Sequence, residues 1–213
     1  MPSFDTENAL HSDGYSLIAG IDEVGRGPIA GPVYAGAVIF PSLLDSNSTW
    51  LNGIDDSKKL TPANREKAAK HIYKSATAVS IGSSNSSEVD CLGIVEAIRL
   101  AMTRALEGLL VGPDYLILDH IYLPAAKLPF TSITKGDTKS YSIAAASIVA
   151  KVARDKMMVQ YNIEYPGYSF ERNKGYGTPS HLKQLHMLGP CSIHRFSFAP
   201  VQLCKVVRES TLD

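Results

Sequence analysis

Two adjacent acids, Asp22 and Glu23, stand at the end of an apolar run and are followed by a glycine-arginine-glycine turn at residues 25–27. Carboxylate oxygens are the hard ligands that Mg²⁺ and Mn²⁺ prefer. The two glycines let backbone N–H groups approach a ligand closely, and the planar donors of Arg26 suit a phosphate. The segment therefore predicts a metal site beside an anion. A solvated acid pair before an ordinary turn is the alternative, because short glycine motifs occur by chance.

Two more acids follow apolar strands further along the chain. Asp119 comes after the run YLIL, and Asp137 comes shortly after the run FTSIT. Parallel neighbouring strands would bring such ends to one edge of a sheet, where open α/β sheets bind ligands. Asp137 could instead cap the helix that follows it. Successive strand residues point to opposite faces, so Asp22 and Glu23 share one metal only if their strand ends or bulges there, and Gly25 fits that requirement. Together the acids favour a carboxylate metal cluster.

The elements that must position these acids follow from apolar periodicity and turn residues. The short connection between the first two strands predicts antiparallel neighbours, and a small-residue helix from Ser140 to Met158 is able to pack closely on a sheet. Three strands, helices, and then strand-helix-strand-helix predict an α/β fold with a mixed five-stranded sheet flanked by helices. The predicted strands cover residues 17–21, 33–40, 77–82, 115–118 and 130–134, and the other predicted helices begin at Pro62 with Thr61 as N-cap, at Glu88 with Ser87 as N-cap, and at Ile94 after a break near Gly93.

Composition limits the class of protein. The chain has 213 residues, of which 45% are hydrophobic and 20% are charged, as expected of one globular domain or a domain with a small appendage. A net charge of +0 excludes a basic field over the whole molecule. Residues 135–195 nevertheless carry nine bases and four acids, so this half could hold a polyanion, although solvated helix faces explain scattered bases equally well.

Cysteine usage and apolar runs indicate the cellular setting. Three cysteines without C-x-x-C spacing favour a reducing compartment and argue against a zinc site. The sequence shows no signal-peptide pattern and no apolar run of the roughly 18 residues that a membrane span needs, so we expect a cytoplasmic protein without membrane association. The C-terminal tail lacks the paired aromatic residues of a sliding-clamp peptide, so no such partner is expected, and we expect a monomer.

Five segments resemble the ribonuclease H type 2 family, specifically ribonuclease HII. They occur in the family order and are IAGIDEVGRGPIAGPVYAGAVI, DSKKL, LILD, KGDTKSYSIAAASIVAKVARDKMM and YPGYSFERNKGYGT with GPCSIHRFSFAPV. The resemblance covers most of the chain and implies an RNase H-like fold. It also implies a catalytic metal site of four acids, Asp22, Glu23, Asp119 and Asp137, which would hold two Mg²⁺ or Mn²⁺ ions during catalysis.

The resemblance further implies a substrate. It predicts endonucleolytic hydrolysis of the RNA strand of RNA/DNA hybrids and incision 5′ of single ribonucleotides in duplex DNA, leaving 5′-phosphate and 3′-hydroxyl ends. By analogy Gly25, Arg26 and Gly27 would sense the 2′-hydroxyl, and Tyr176 would stack on the sugar that follows the ribonucleotide. We expect an N-terminal extension over residues 1–15, a catalytic domain over 16–160, and a small C-terminal helical substrate-binding segment over 161–213.

Several polar residues outside these motifs are weighed individually. Lys139 and Lys174 are candidates for binding substrate phosphates. Ser57 and Lys58 could orient phosphates or merely lead into the helix at Pro62. For Ser147, the alanine-rich surroundings favour packing over phosphate binding. His194 and Arg195 could either dock the C-terminal segment or contact substrate.

Two other functions are compatible with parts of this pattern. The related ribonuclease HIII usually has an additional N-terminal domain and different residues at the Gly-Arg-Gly position, and only about twenty residues precede Asp22 here. A catalytically silent hybrid-binding module is the other alternative. The four intact acids argue against it.

Overall fold

The computed structural model describes residues 2–42, 48–54, 57, 60–123 and 126–209, with side chains through Cys204. Its centre is one five-stranded sheet in the order β3-β2-β1-β4-β5. The β1–β2 and β2–β3 pairs are antiparallel, whereas β1–β4 and β4–β5 are parallel, which confirms the predicted mixed sheet. The strands are β1 (Ile18–Val24), β2 (Val33–Ile39), β3 (Ala78–Ser84), β4 (Tyr115–Asp119) and β5 (Phe130–Ile133).

Helices cover both faces of the sheet. Helix α4 (Ile94–Glu107) packs with Ala19 and Ile21 of β1 in the largest apolar cluster, whereas α5 (Tyr141–Glu164) packs on the opposite face. The backbone of α5 comes so close that a Cβ at Gly20 would lie within 3.0 Å of Ser142. This close approach confirms the expected packing of a small-residue helix, and it brings the middle of α5 to the end of β1.

The remaining helices correct some predicted boundaries. Thr61 caps α2 as predicted, but Asn85 and not Ser87 caps α3, because Asn85 and Glu88 form a reciprocal capping box. Ser140 and not Asp137 caps α5, which continues six residues past Met158. The other helices are α1 (Asp5–Ser12), α2 (Pro62–Ser75), α3 (Ser86–Leu92), α6 (Phe170–Asn173), α7 (Pro179–Leu188) and α8 (Ala199–Glu209).

The C-terminal part is helical, as expected. Helices α7 and α8 pack through Leu185, Val201 and Cys204 against Ile29. The proposed division at residue 160 stays a prediction, and α5 runs continuously through it. In the described ranges, no helix combines the length and the apolar character that crossing a membrane requires.

Candidate active site

A cleft opens where β1 and β4 end, and we call it the acidic cleft. Three of the predicted acids, Asp22, Glu23 and Asp119, line it together with residues 25–27 and Tyr176. Its remaining wall carries polar side chains from α5 and from the segment before α2, namely Ser147, Lys151, Arg154 and Ser57. The structure thus brings most of the predicted site residues to one place.

Asp22 occupies the most electrostatically demanding position in the cleft. Its side chain lies on the α5 face of β1 and is almost fully buried. Burial raises the pKa of this carboxyl well above its usual range, the charges of Glu23 and Asp119 raise it further, and a hydrogen bond with Ser147 opposes the rise. The Glu23 backbone N–H donates to Asp22 Oδ1 at 2.7 Å. Hydrogen bonds therefore fix the orientation of the Asp22 carboxyl, while the neighbouring negative charges disfavour its ionised form.

The regularity of β1 determines how its two acids are presented. Asp22 pairs with Gly36 and Glu23 with Ala35, so the ladder stays regular until β1 ends at Val24. The strand ends before Gly25, as a metal shared by Asp22 and Glu23 requires. The two side chains nevertheless point to opposite faces of β1. Across the described residues, no three Asp, Glu, His or Cys side chains form a ready-made metal-binding group.

Asp137 is buried and does not line the cleft. It is buried in a 3-10 turn, Gly136–Thr138, that follows β5. The Gly136 N–H donates to Asp119 Oδ1 at 2.8 Å, so the turn that carries Asp137 is bonded to the neighbouring acid. Three of the four predicted acids therefore line the cleft, and the fourth is buried in a turn that is bonded to Asp119.

The donor set of the cleft fits a hard divalent cation. Three carboxylates share it, and their mutual repulsion is the main electrostatic effect on Asp22 after burial. A cation would relieve that repulsion, and oxygen-only donors match the preference of Mg²⁺ and Mn²⁺ rather than that of zinc. Asp22, Glu23 and Asp119 would hold such an ion.

Ser147 has a larger part in the site than the alanine-rich surroundings suggest. Its hydroxyl hydrogen-bonds to Asp22 and lies 3.0 Å from the hydroxyl of Ser57, which is also buried. The preference for packing over phosphate binding did not include this contact, which arises because the close approach of α5 puts position 147 against the end of β1. Helical spacing places Ser147, Lys151 and Arg154 on one face of α5, and all three line the cleft.

Two of the three predicted lysines, Lys139 and Lys174, do not line the cleft. Lys174 lines a neighbouring groove, and its Nζ is 3.5 Å from the Asp155 backbone oxygen. Lys139 is exposed in the turn after Asp137. Lys58 lies outside the described residues. Roles for these three lysines in binding phosphate stay predictions.

Gly25 and Gly27 have different structural reasons. Gly25 has φ +93°, and a Cβ there would lie within 3.0 Å of Arg154 Nε and of the Pro32 oxygen. Gly27 has no such backbone constraint, and a Cβ there would meet only the Tyr176 ring, at 3.8 Å. Residues 25–27 and Tyr176 are thus neighbours in the wall of the cleft, and Arg26 between the glycines is exposed.

Two arginines that sequence reasoning did not assign to the site are buried beneath this loop. Arg154 donates to the backbone oxygens of Pro32, Lys174 and Ala30 at 2.9, 3.0 and 3.3 Å. Arg195 donates to backbone oxygens of the loop itself and is fully buried. The loop is therefore anchored from below through its main chain.

A buried histidine pair predicts acid sensitivity. His194 Nε2 lies 3.2 Å from His181 Nε2, and both side chains are fully buried. Burial, with the adjacent His181, lowers the pKa of His194 from 6.5 to about 4. As the pH falls, His194 takes up a proton in the unfolded chain before it does so in the folded protein. The stability that the neutral, buried His194 contributes is therefore complete above pH 6.5 and is lost as the pH falls towards 4. We expect urea unfolding between pH 7 and pH 4.5 to show a loss on the order of 2 kcal/mol from this residue.

The variant His194→Gln isolates that contribution, because it lacks the titrating ring. The difference in unfolding free energy between wild type and His194→Gln should shrink as the pH falls through this window. A difference that stays constant from pH 7 to pH 4.5 would show that His194 titrates normally.

Comparison with known proteins agrees with this architecture. The family described as Ribonuclease HII matches residues 19–201. Ribonuclease HII of Geotalea uraniireducens (strain Rf4) is 47% identical over 92% of this chain and 88% of that protein, and Ribonuclease HII of Desulfitobacterium hafniense (strain Y51) is 50% identical over 92% and 74%. The crystal structure of ribonuclease H2 from Pyrococcus horikoshii OT3 superposes with a TM-score of 0.76 at 24% identity, covering 91% of this chain and 99% of that one.

A second solved structure, Bst-RNase HIII in complex with Mn²⁺, has a TM-score of 0.67 at 16% identity and covers 95% of this chain and 73% of that one. The fold and the family match define a ribonuclease H-type nuclease, a class of divalent-metal-dependent hydrolases. Within that class, the chain belongs to the ribonuclease HII family.

Proposed function

We propose that this nuclease hydrolyses the RNA strand of RNA/DNA hybrids and incises 5′ of single ribonucleotides in duplex DNA, leaving 5′-phosphate and 3′-hydroxyl ends. The observation that carries the proposal is the placement of residues 25–27 and Tyr176 side by side in the same cleft as Asp22, Glu23 and Asp119. A surface able to recognise a sugar thus adjoins a group of acids.

The loop and the ring supply complementary recognition. The 2′-hydroxyl is the group that distinguishes RNA from DNA, and glycine lets backbone N–H groups come close enough to bond it. The Tyr176 side chain is 46% exposed, which leaves its ring available for stacking on a sugar. Arg26 offers charged donors beside them for a backbone phosphate. We assign Gly25, Arg26, Gly27 and Tyr176 to recognition of the ribonucleotide and its 3′ neighbour.

The acids are held ready for the chemistry. The Glu23 N–H and the Ser147 hydroxyl fix Asp22, and the Gly136 N–H fixes Asp119, so these carboxylates need little reorganisation when substrate binds. We assign metal binding to Asp22, Glu23, Asp119 and Asp137. Two Mg²⁺ or Mn²⁺ ions at this site would supply activation of water and stabilisation of the leaving 3′-oxygen.

Other properties complete the proposal. All three cysteines are free thiols, which supports a place in the reducing cytoplasm. We propose a monomer that acts without a membrane or a sliding-clamp partner, and we keep the division into residues 1–15, 16–160 and 161–213.

Cleavage-site mapping on three duplexes tests the function. One duplex carries a single ribonucleotide, the second a continuous RNA strand, and the third DNA only, each with Mg²⁺ or Mn²⁺. We expect incision 5′ of the single ribonucleotide, cleavage within the RNA strand, and no cleavage of DNA. Intact single-ribonucleotide duplex under both metals would refute the proposed substrate.

Substitution of Tyr176 tests the recognition surface. Because the ring and not the hydroxyl is proposed to stack, Tyr176→Phe should keep kcat/KM on the single-ribonucleotide duplex within about threefold of wild type. Tyr176→Ala should lower it about 10- to 100-fold, the range expected for loss of one stacking contact. The thermal midpoint should stay unchanged in both, since the side chain is half exposed. Equal losses for Phe and Ala would contradict stacking.

A further inference from the structure

We propose that His194 and Arg195 are positioning residues that set the distance between the glycine loop, residues 25–27, and Tyr176. Neither lines the cleft, and both are fully buried. Each supports one side of the recognition surface, Arg195 the loop and His194 the tyrosine. The inference rests on the proposed function, because it concerns the same surface.

Arg195 holds the loop by its backbone oxygens. Its Nη2 donates to Gly25 O at 2.6 Å, its Nη1 to Arg26 O at 3.0 Å, and its Nε to Gly31 O at 3.0 Å. All three bonds reach across more than 160 residues of sequence. Burial lowers the pKa of Arg195 to about 9, so the protein bears a desolvation cost to keep this cation beneath the loop. The Phe198 ring lies under the guanidinium at 5.2 Å.

His194 reaches Tyr176 through His181. His181 Nδ1 lies 2.8 Å from the Tyr176 backbone oxygen, and its Nε2 lies 3.2 Å from His194 Nε2. On the other side, His194 Nδ1 lies 3.0 Å from the Cys191 backbone nitrogen and 3.1 Å from Cys191 Sγ. A continuous chain of hydrogen bonds therefore runs from Cys191 to the backbone of Tyr176.

Only one placement of protons satisfies this chain when both rings are neutral. Because a carbonyl oxygen only accepts, His181 Nδ1 must donate to Tyr176 O, which leaves His181 Nε2 as an acceptor. His194 Nε2 must then donate, so His194 Nδ1 accepts from the Cys191 N–H and thiol. Burial lowers the pKa of both histidines, which keeps them in these neutral forms. The chain thus has a fixed direction, and it ends on the residue proposed to stack.

The segment that carries the glycine loop and the segment that carries Tyr176 are already joined to each other by backbone hydrogen bonds further from the cleft. The N–H groups of Ile29 and Ala30 both donate to Gly175 O, at 2.9 and 3.2 Å. The parts that face the cleft are held instead by Arg195, at Gly25 and Arg26, and by His181, at Tyr176. Since His194 and Arg195 are consecutive, one peptide unit links the support of the loop to the support of Tyr176.

A loosened spacing should matter most for a single ribonucleotide. That substrate offers one 2′-hydroxyl, so loop and ring must both fit at one register, whereas a continuous RNA strand offers many equivalent registers. Arg195→Lys keeps the charge but loses the planar fork that binds several carbonyls at once. We expect it to lower kcat/KM on the single-ribonucleotide duplex about tenfold or more, and on the continuous hybrid less than about threefold.

The His181 position gives a second test that does not depend on Arg195→Lys folding. His181→Leu removes the donor to Tyr176 O and should lower the ratio of single-ribonucleotide to hybrid kcat/KM. His181→Asn retains an N–H donor near the Nδ1 position and should restore much of that ratio. A purely structural role would not distinguish Asn from Leu in this ratio.

The matched control is Ile98→Val, which removes one buried methylene in α4, away from both supports. It should lower the thermal midpoint and leave the substrate ratio unchanged. If Arg195→Lys and His181→Leu reduce both activities in parallel, the positioning role is wrong while the proposed function stands. If wild type fails to incise the single-ribonucleotide duplex, the proposed function and this inference are both overturned.

Discussion

We expect Asp22→Asn to abolish cleavage, with a loss of more than about 1000-fold, and to raise the thermal midpoint of the metal-free protein. The two effects have one cause. Asp22 is a buried carboxylate beside Glu23 and Asp119, so in the absence of a cation its charge opposes folding. Asparagine keeps an oxygen for the Glu23 N–H and removes that charge, but it is a much weaker ligand for a hard divalent ion.

Thermal melts with and without metal measure the stability side of this prediction. In EDTA the variant should melt at least about 2 °C above wild type, the shift that about 1 kcal/mol gives in a chain of this size. Added Mg²⁺ or Mn²⁺ should raise the midpoint of wild type and leave that of Asp22→Asn almost unchanged.

Asp114→Asn provides the matched control for that experiment. Asp114 accepts bonds from the N–H groups of Ser16 and Leu17, just before the opposite end of β1, so the same substitution there removes a charge far from the cleft. It should retain activity and the stabilisation by metal. A lower midpoint for Asp22→Asn in EDTA, or an undiminished response to metal, would show that Asp22 is not part of a repulsive metal-binding group.

Gly25→Ala has the second large effect, and Gly27→Ala serves as its partner two residues away. At Gly25 an added Cβ needs a left-handed backbone and meets Arg154 and Pro32. Because Arg154 also donates to the backbone oxygens of Ala30 and Lys174, its displacement disturbs the segments next to residues 25–27 and Tyr176. We expect Gly25→Ala to destabilise the protein by on the order of 2–3 kcal/mol and to reduce cleavage of every substrate about 100-fold or more.

Gly27→Ala should fold as wild type, since its Cβ would make only an ordinary contact with Tyr176. It narrows the space beside the ring, so its effect should be a higher KM for ribonucleotide-containing duplexes with little change in kcat. Urea unfolding and steady-state kinetics on both variants separate the two roles. Equal stability of the two variants would mean that Gly25 is not required by its backbone conformation.

The placement of the acids was predictable because its signal is local. Apolar runs mark β1 and β4, and Asp22 and Asp119 stand at their ends, so parallel pairing brings them together wherever the sheet forms. The cap of α3 was equally available from sequence, because Asn85 and Glu88 have the spacing of a capping box. The predicted cap, Ser87, has no Glu or Gln three residues later.

The supports beneath the cleft were harder to predict because their partners are distant main-chain atoms. Ser147 looks like one more small residue in an alanine-rich helix, and its contact with Asp22 exists only once α5 lies against β1. The sequence shows that position 195 is an arginine with several donors, but no neighbouring residue indicates that it donates to the carbonyls of Gly25 and Arg26. Every residue type has a backbone carbonyl, so the residue that accepts from Arg195 cannot be identified from the sequence.

That indifference to side-chain identity has a consequence for redesign. Arg195 holds the loop by the backbone oxygens of Gly25 and Arg26, and Arg154 leaves no room for a side chain at Gly25. The fold therefore requires no particular side chain at position 26. The side chain of Arg26 is exposed, and the hydrogen bonds that hold the loop involve only its backbone. Position 26 can therefore be varied in a library without rebuilding the loop, which makes it the natural place to evolve altered nucleotide preference.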